Sequence, residues 1–437
     1  MTRESDQKDA GRRPPNIILV LTDDLGYSDI APYGGVFGTP ALSRMAREGF
    51  LATDYYSPAN ICTPARAGIL TGRYPLRTGL GFEVIMQGDD RALPRSEVTI
   101  AAALKPAYAA GLFGKWHLGH RAPDWLPTTY GFDRFVGIPY SHDMAPLSVF
   151  AANAGEAARE YSVPFESLQE EFYTQAERFI EANCDRPFFI ELALSAPHLP
   201  NYPPDALQGK SRVGPYGDSI LEIDAIMGRL FAKLEALGLG PDTLVIFTSD
   251  NGPWFEGSSL PLRDRKGGSG YDGGYRVPFL AWWPGQIPAG RRSNAIVCGI
   301  DLFPTFCALA GIAVPDGLEI DGRDISDVLL RGAPSPHEQL LLFNNFDVVA
   351  VRTQRWKYVA ETYYRTFRVP LARWGHEELY DMSVSDTESY SLARYEPAVL
   401  AEMQRRLAAA RAEFQPYNTG VPDFFRTFSA QLKQRQD

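Results

Sequence analysis

The chain has 437 residues, of which 45% are hydrophobic and 12% aromatic, so it can bury a large core. Its formal net charge of −10 argues against a general nucleic-acid-binding protein, because such proteins need a basic surface for the phosphate backbone. The first apolar run, residues 17–21, is too short for a signal peptide or a membrane span. Its four cysteines show neither metal-site nor disulfide spacing. We therefore expect a cytoplasmic protein with reduced thiols and neither a nucleic-acid nor a membrane partner.

Short apolar runs alternate with amphipathic helices along the first three quarters of the chain. Helices are predicted over 40–48, with Thr39 as the capping residue, over about 220–234, and over 302–310, with Asp301 as the capping residue. The alternation predicts an α/β fold with one large, mostly parallel sheet sandwiched by helices. Buried strands are predicted at 16–22, 110–114, 186–195 and 243–249.

The pattern changes after about residue 335, where antiparallel strands and then a charged helix at 397–414 are predicted. We expect a flexible N-terminus at 1–13, a large domain at 14–335, and a small α+β subdomain with an antiparallel sheet at 336–437. The subdomain ends in an aromatic tail that either mediates homo-oligomerisation or docks onto the chain's own body. The tail aromatics are Phe414, Tyr417, Phe424, Phe425 and Phe428.

Acidic and amide side chains follow two of the predicted strands. Asp23 and Asp24 come directly after the first strand, and Asp250 and Asn251 come directly after the last. In a parallel sheet the carboxyl ends of the strands meet at one edge, where ligands bind. An all-oxygen ligand set favours a hard cation such as Ca²⁺ or Mg²⁺. Taken singly, each Asp also fits a helix cap or a turn.

Three further polar residues follow the other two strands. Lys115 and His117 come after the strand at 110–114, and His198 comes after the strand at 186–195. With the cation assigned to oxygen ligands, the two histidines remain for acid–base chemistry. Each of them also fits a structural role, as a buried and satisfied side chain.

The stretch "NICTPARAGILTGRYP" holds one of the four cysteines, Cys62. Thr63 and Pro64 predict the start of a helix, and Gly72 predicts its end. Cys62 would then precede a helix N-terminus, where free N–H groups favour an anion, and Arg66 can reach the same place. A phosphatase loop of the type Cys-x₅-Arg is excluded, because arginine is missing at the required position. A papain-like nucleophile and a buried structural thiol remain alternatives.

The motifs "CTPAR" and "TGR" resemble the signature of type I sulfatases, the arylsulfatase-like members of the alkaline phosphatase superfamily. Further family motifs occur in the expected order within residues 14–390. The resemblance implies the alkaline phosphatase-like fold and hydrolysis of a small, aryl sulfate ester to a phenol or alcohol and sulfate. These further motifs are "TDDLGYSD", "GKWHLGH", "GFDRFVG", "APH", "SDNG", "KGGSGYDGGYRVP" and "WKYV" with "ELYD".

In that family a maturation enzyme oxidises the motif cysteine to formylglycine, whose hydrate forms a covalent sulfo-enzyme. The resemblance therefore implies this conversion for Cys62. It also implies one divalent cation held by Asp23, Asp24, Asp250, Asn251 and the modified residue 62. Ca²⁺ is expected first, and Mg²⁺ or Mn²⁺ would also fit.

The same resemblance assigns catalytic roles. Asp250 accepts the proton of the attacking hydroxyl, while Arg66 and Lys115 hold the modified residue and the oxygens around it. His117 takes the proton of the second hydroxyl when sulfate is eliminated.

The substrate's sulfate group is assigned to Lys115, His198 and Lys266. Arg265 is a rival for the last position, although "KGGSGYDGG" matches the family better with the lysine. His142 stands where relatives often carry asparagine and is a further substrate-binding candidate. The turn after "ELYD" reads "MSVSDTES" and lacks the proline that is usual in the family.

Two other functions stay open at this point. A phosphonate monoester or phosphodiester hydrolase of the same superfamily would use the same residues, but the chain shows no surplus of His or Asp for a second metal. A non-catalytic binding protein would keep the site and leave Cys62 unmodified. A small substrate is expected, because the sequence shows no export signal and a sulfated polymer would not reach a cytoplasmic enzyme.

Overall fold

The computed structural model describes residues 13–364 and 367–427. The expected flexible segment 1–13 falls almost wholly outside these residues, as does Phe428 of the aromatic tail. The strands are β1 (Asn16–Thr22), β2 (Phe50–Ala52), β3 (Tyr55–Tyr56), β4 (Ala109–Lys115), β5 (Arg134–Ile138), β6 (Val149–Asn153), β7 (Arg159–Tyr161), β8 (Phe188–Ala193), β9 (Thr243–Ser249), β10 (Phe279–Trp282), β11 (Arg291–Ser293), β12 (Val297–Cys298), β13 (Leu340–Asn344), β14 (Asp347–Arg352), β15 (Trp356–Val359), β16 (Glu361–Tyr364), β17 (Phe367–Pro370) and β18 (Glu378–Asp381). The helices are α1 (Pro40–Glu48), α2 (Cys62–Thr71), α3 (Ile100–Leu104), α4 (Leu168–Ala182), α5 (Pro215–Ala236), α6 (Asp272–Tyr275), α7 (Leu302–Ala310), α8 (Ser326–Arg331) and α9 (Pro397–Phe414).

The large sheet has the strand order β11-β2-β10-β9-β1-β8-β4-β5-β6-β7. Its centre, from β9 to β5, is parallel throughout. At one flank β10 runs antiparallel to both neighbours, and at the other β6 and β7 are antiparallel. The predicted parallel sheet between helices is therefore confirmed at the centre, while the flanks make the whole sheet mixed.

Both faces of the sheet are covered by apolar layers. Along β1, Ile17 and Leu19 pack into the layer that contains α2, α3 and α7, whereas Ile18 and Val20 pack into the layer that contains α1, α4 and α5. A strand buried on both faces reads as a continuous apolar run, which is why "NIILVLT" predicted it. None of the helices in the described ranges is both long and apolar enough to cross a membrane.

Two predicted capping residues lie at the expected positions but do not make a capping hydrogen bond with their side chains. Thr39 precedes α1 as expected, but its hydroxyl accepts a hydrogen bond from the Ala31 N–H (2.9 Å) and caps nothing. Asp301 precedes α7, yet its carboxylate accepts from the N–H groups of Cys298 (2.7 Å) and Arg323 (2.8 Å). Both side chains therefore tie neighbouring loops to the helix start.

A second sheet follows with the order β13-β14-β15-β18, all antiparallel, and α9 packs against β14 and β15. The predicted antiparallel sheet and the helix 397–414 are confirmed. Its apolar core also takes in Tyr74, Tyr271, Tyr275 and Ile300 from the preceding part of the chain. Because the two parts share this core, the boundary near residue 335 stays a prediction.

The aromatic tail lies against the chain's own body where it is described. Phe414 is buried in the core of the second sheet, and the Tyr417 hydroxyl accepts a hydrogen bond from Arg77 Nη1 (3.0 Å). The rings of Phe425 and Phe82 lie 5.4 Å apart, edge to face. These contacts fit the docking alternative, and self-association through the tail stays a prediction.

Gly114 lets β4 approach β8 closely, next to the strand end that carries Lys115. Its φ is +126°, and a Cβ there would lie 1.8 Å from the Ala193 carbonyl oxygen. We expect Gly114→Ala to lower the free energy of unfolding by about 3 kcal/mol. The Cβ would clash with the Ala193 carbonyl oxygen, and alanine is also strained at this positive φ. Gly155→Ala is the control, because Gly155 has φ +80° and a Cβ there would have no described atom within 4 Å.

The control should lose only about 1 kcal/mol, the cost of the left-handed backbone alone. Urea denaturation of both variants measures the difference. Equal losses in the two variants would show that the close approach of β4 to β8 does not constrain the fold.

Candidate active site

The carboxyl ends of β9, β1, β8 and β4 bring the predicted polar residues to one edge of the sheet. Asp23 and Asp24 follow β1, Asp250 and Asn251 follow β9, and Lys115 ends β4; all five are buried. His198 lies in the loop after β8 and His117 in the loop after β4. Asp24 and His117 also have positive φ angles, 63° and 59°, which non-glycine residues adopt mainly where the surroundings enforce them.

Cys62 is the first residue of α2 rather than the residue before it. The predicted cap, Thr63, is wrong: its hydroxyl donates to the His117 carbonyl (2.9 Å) and accepts from the Ile85 N–H (3.0 Å). The helix ends before Gly72, which has a left-handed backbone (φ 69°), as predicted. Thr63 therefore joins the start of α2 to the loop that carries His117.

Two buried ion pairs join the strand ends. Lys115 Nζ lies 2.6 Å from Asp23 Oδ2, and Arg66 Nε and Nη2 both lie 2.9 Å from Asp250 Oδ2. Burial alone would raise the pKa of Asp23, but Lys115, His198 and Arg66 hold it well below its usual range. Burial raises the pKa of Asp250 to about 6 against the attraction of Arg66.

A third pair reaches across from the loop after β9. Lys266 Nζ lies 2.7 Å from Asp24 Oδ2, and His198 Nε2 lies 3.6 Å from the same oxygen. Burial disfavours the charged form of Lys266, but Asp24 raises its pKa well above the ordinary lysine value. The rival, Arg265, turns away and lies over the ring of Phe255 at 4.8 Å. Of the two candidates, the structure brings the lysine to the acidic and basic side chains at the strand ends. These side chains, Asp23, Asp24, Asp250, Arg66, Lys115 and Lys266, are called the cluster below.

The Cys62 thiol sits beside these acids, with Sγ 3.5 Å from Asp23 Oδ1 and 3.9 Å from Asp24 Oδ1. Burial raises its pKa well above the ordinary value, although Lys115 and Lys266 oppose the shift. No hydrogen bond joins it to an imidazole within the described ranges. An activated, papain-like thiolate does not fit these surroundings.

His117 presents one free ring nitrogen to the site. Its Nε2 lies 3.0 Å from the Ile85 carbonyl oxygen and, when protonated, can donate a hydrogen bond to it. Its buried Nδ1 has no partner among the described residues. Burial lowers its pKa well below the usual range, and Lys115 and Arg66 lower it further. The ring is therefore neutral, with Nδ1 available as a proton acceptor.

The His142 ring packs against the ring of His198. The two rings lie 5.4 Å apart and nearly perpendicular, and His142 Nε2 lies 3.1 Å from the Pro200 carbonyl oxygen. Burial lowers the pKa of His142 to about 4, so its imidazole is neutral at physiological pH. The structure thus places it beside a candidate sulfate ligand, where it supports the His198 ring.

The oxygen donors of the cluster fit a hard divalent cation. Asn251 Nδ2 donates to Asp24 Oδ1 (2.7 Å), and this leaves Asn251 Oδ1 buried without a partner among the described residues. An unpaired buried amide oxygen is costly unless a cation or a donor faces it. Ligand atoms of Asp23, Asp24, Cys62 and His198 all lie within 4.8 Å of one another.

Comparison with known proteins decides the family. Residues 15–312 match the family described as Sulfatase, and residues 269–413 match the C-terminal region described for N-sulphoglucosamine sulphohydrolase. Human arylsulfatase A is 38% identical over 386 residues, which cover 79% of this chain and 74% of that protein. This chain belongs to the sulfatase family.

Other relatives differ in their named substrates. The N-acetylgalactosamine-6-sulfatase of Canis lupus familiaris is 36% identical over 358 residues, which cover 73% of this sulfatase and 67% of that protein. The crystal structure of PsFucS1 sulfatase from Pseudoalteromonas sp. superimposes with a TM-score of 0.85 at 28% identity, covering 94% of this chain and 92% of that one. The predicted alkaline phosphatase-like fold is thereby confirmed, and family membership implies a divalent metal.

Sequence reasoning missed two carboxylates of this sulfatase near the cluster. Both Glu256 oxygens are buried without hydrogen-bond partners among the described residues, and burial raises its pKa. Glu191 lies in the middle of β8, and burial raises its pKa to about 7 against the attraction of Arg66. A charged residue inside the apolar run "FFIELALS" was a usable signal for Glu191, whereas nothing in the local pattern marks Glu256.

If Asn251 is a metal ligand, Asn251→Leu should weaken divalent-cation binding about 100-fold while the fold is retained. Asn16→Leu is the matched control: Asn16 lies at the opposite end of β1, is also buried, and its Oδ1 also has no partner among the described residues. Calorimetric titration of chelator-treated protein with Ca²⁺ measures both variants. Unchanged affinity in Asn251→Leu, or equal losses in the two variants, would remove Asn251 from the ligand set.

Proposed function

We propose that this sulfatase hydrolyses a small, aryl sulfate ester to a phenol or alcohol and sulfate. The observation that carries the proposal is the charge balance of the buried cluster, in which three carboxylates face three cationic side chains. One divalent cation would bring the cluster to a net charge of +2. That charge matches a singly charged sulfate ester together with one deprotonated nucleophile. The six groups are Asp23, Asp24, Asp250, Arg66, Lys115 and Lys266.

The same balance argues against a phosphate monoester as the substrate. A phosphoryl dianion would leave an unneutralised negative charge in a water-poor site, where it is costly. The phosphonate monoester hydrolase of Agrobacterium radiobacter superimposes with a TM-score of 0.65 at 22% identity, which shows a shared fold alone. Phosphonate hydrolysis therefore enters the test as a competing outcome.

The proposal includes conversion of Cys62 to formylglycine by a separate maturation enzyme. When formed, the hydrated aldehyde supplies one hydroxyl for attack on sulfur and a second whose deprotonation expels sulfate. Ca²⁺ is the proposed cation because the donors around Asn251 are oxygens, with Mg²⁺ and Mn²⁺ as alternatives. A cytoplasmic location remains part of the proposal, and the four cysteines are unpaired.

The chain's own residues then have distinct tasks. Arg66 and Lys115 are fixed by their ion pairs and orient residue 62 from two sides. Asp250 is positioned as acceptor for the proton of the attacking group, and the free Nδ1 of His117 as acceptor for the second proton. Lys266 and His198 flank the sulfate position and stabilise the leaving oxygen.

Aromatic side chains in the loop after β9 support an aryl leaving group. Trp254 and Phe255 lie in this loop, their rings lie 4.5 Å apart, and they are 40% and 69% exposed. Such a pair offers an apolar platform, and the Lys266 N–H donates to the carbonyl oxygen of the preceding residue, Pro253 (3.0 Å). Two relatives, the arylsulfatases A and G, carry aryl substrates in their names.

A substrate panel tests the proposal. We expect kcat/KM for 4-nitrophenyl sulfate to exceed that for 4-nitrophenyl phenylphosphonate, a hexose sulfate and a sulfated polysaccharide by about tenfold or more. The expectation follows from membership of the sulfatase family for the phosphonate, which carries the same single charge as the sulfate ester, and from the aromatic platform for the sugars. A phosphonate or polysaccharide turned over faster than the aryl sulfate would overturn the proposed substrate class.

Cys62→Ser should stall after part of one turnover. A serine hydroxyl can attack sulfur, but the resulting ester has no neighbouring hydroxyl to drive elimination, and water must then attack a guarded, negatively charged centre. Intact mass after incubation with an aryl sulfate should show a sulfated serine. Cys298→Ser, a buried thiol outside the cluster, is the control and should keep steady turnover. Sustained turnover by Cys62→Ser near the parent rate would contradict the mechanism.

A further inference from the structure

The segment that carries Lys266 lies between the large sheet and the second sheet. It comprises residues 263–275, is called the Lys266 loop below, and ends in α6. The Gly273 N–H donates to the Arg263 carbonyl oxygen (2.7 Å), which closes the loop at its base. The two ends of the loop are therefore joined to each other, and Lys266 lies between them.

The part of the chain that forms the large sheet binds the backbone around Lys266. The Lys266 N–H donates to the Pro253 carbonyl oxygen (3.0 Å), and the Gly267 N–H donates to the Asn60 carbonyl oxygen (2.9 Å). Asn60 Nδ2 also donates to the Gly268 carbonyl oxygen (2.6 Å). These hydrogen bonds fix the middle of the loop beside the start of α2.

The second sheet binds the end of the loop through a buried charged centre. Lys357 on β15 is fully buried, and its Nζ lies 2.5 Å from Asp272 Oδ1 and 2.5 Å from Glu388 Oε1, which are equally buried. Glu388 lies in the turn after β18, and its Oε2 accepts a hydrogen bond from the Asp272 N–H (2.7 Å). Its φ of 50° is one that non-glycine residues adopt mainly where the surroundings enforce it. Lys357 thus joins α6 to this turn.

The two carboxyl groups depend on Lys357 to different degrees. Asp272 Oδ2 also accepts from the Tyr56 hydroxyl (3.0 Å) and lies 3.4 Å from Arg276 Nη1. Glu388 Oε1 has no hydrogen bond among the described residues, so the ion pair with Lys357 is what offsets its burial. Burial raises the pKa of Glu388, and Lys357 opposes the shift. In either protonation state of Glu388, removal of Lys357 leaves a buried oxygen without a partner, which is costly.

Further side chains of the Lys266 loop bind the same region of the chain. The Tyr271 hydroxyl donates to Glu378 Oε2 on β18 (2.8 Å), and Arg263 Nη1 lies 3.4 Å from Glu378 Oε1. The Ser269 hydroxyl donates to the Glu361 carbonyl oxygen on β16. The region of the second sheet therefore holds the loop on both sides of Lys266, at residue 263 and at residues 269–272.

We propose that Lys357 is a positioning residue for the reaction, because it holds the Lys266 loop in the conformation in which Lys266 reaches Asp24. Lys266 Nζ lies 2.7 Å from Asp24 Oδ2, and a shifted loop would lose this placement. The inference rests on the proposed function, in which Lys266 binds the substrate's sulfate group. It gives the second sheet a part in the active site, although none of its residues belongs to the cluster.

A double-mutant cycle between Lys357 and Lys266 tests the proposal on the fastest sulfate ester of the substrate panel. Lys266→Ala should lower kcat/KM about 100-fold. Lys357→Met should lower it about tenfold, because a displaced Lys266 stabilises the sulfate group less well. If Lys357 acts through Lys266, the double variant should match Lys266→Ala within about twofold.

Arg77→Met is the matched control. Arg77 is also a buried cation, and it joins the large part of the chain to α9 through ion pairs with Asp321, Glu319 and Glu413, all outside the Lys266 loop. Its removal should cost stability, while kcat/KM should stay within about threefold of the parent value. Any loss should add to the loss in Lys266→Ala.

Tyr271→Phe is a milder variant that keeps all the buried charges and removes one hydroxyl. It should lower kcat/KM about threefold, and this loss should also disappear when Lys266 is already alanine. Hydrogen exchange of the peptide 263–275 needs no substrate. Exchange should be faster than in the parent in Lys357→Met and in Tyr271→Phe, and unchanged in Arg77→Met.

The outcomes separate this inference from the proposed function. Additive losses in the double variants with Lys266→Ala would overturn the positioning role and leave the role of Lys266 intact. Full activity in Lys266→Ala would overturn both roles. Unchanged exchange of the peptide 263–275 in folded Lys357→Met would also contradict the proposal, whatever the substrate. If Lys357→Met does not fold, the same two measurements on Tyr271→Phe decide.

Discussion

The buried ion pairs at the strand ends are the constraint on which the rest of the site depends. Charged groups removed from water are costly unless each lies against an opposite charge, so Asp23 needs Lys115, Asp24 needs Lys266, and Asp250 needs Arg66. The partners come from β4, from α2 and from the loop after β9. Satisfying the pairs therefore fixes these elements relative to β1 and β9. The charge pattern that suits a sulfate ester is at the same time part of what holds this edge of the sheet in place.

An acidic chain that handles anions must do so through local positive charge, and this protein concentrates cationic side chains at the strand ends. At the strand ends the cations are already paired, so a divalent cation would supply the excess charge that an anionic substrate needs.

The sequence predicted those parts of the site that follow from a periodic pattern. Asp23, Asp24, Asp250 and Asn251 follow apolar runs, and a parallel sheet brings the ends of such runs together. The positions of loop residues were harder to predict, because the loop conformation decides where neighbouring side chains point. Lys266 and Arg265 are adjacent in the chain, yet only the lysine reaches the cluster. The same limit explains the caps: Thr39 and Asp301 precede helices and Thr63 lies in the first turn of α2, but the side-chain oxygens of all three bind other loops.

We propose that residue 62 acts as formylglycine among these ion pairs. The most direct test of this proposal is the mass of the peptide that contains residue 62, taken from catalytically active protein after thiols have been alkylated. We expect the peptide to carry an aldehyde in place of the thiol, and the aldehyde fraction to rise in proportion to specific activity across preparations. Full activity in protein whose residue 62 is entirely alkylated cysteine would contradict it.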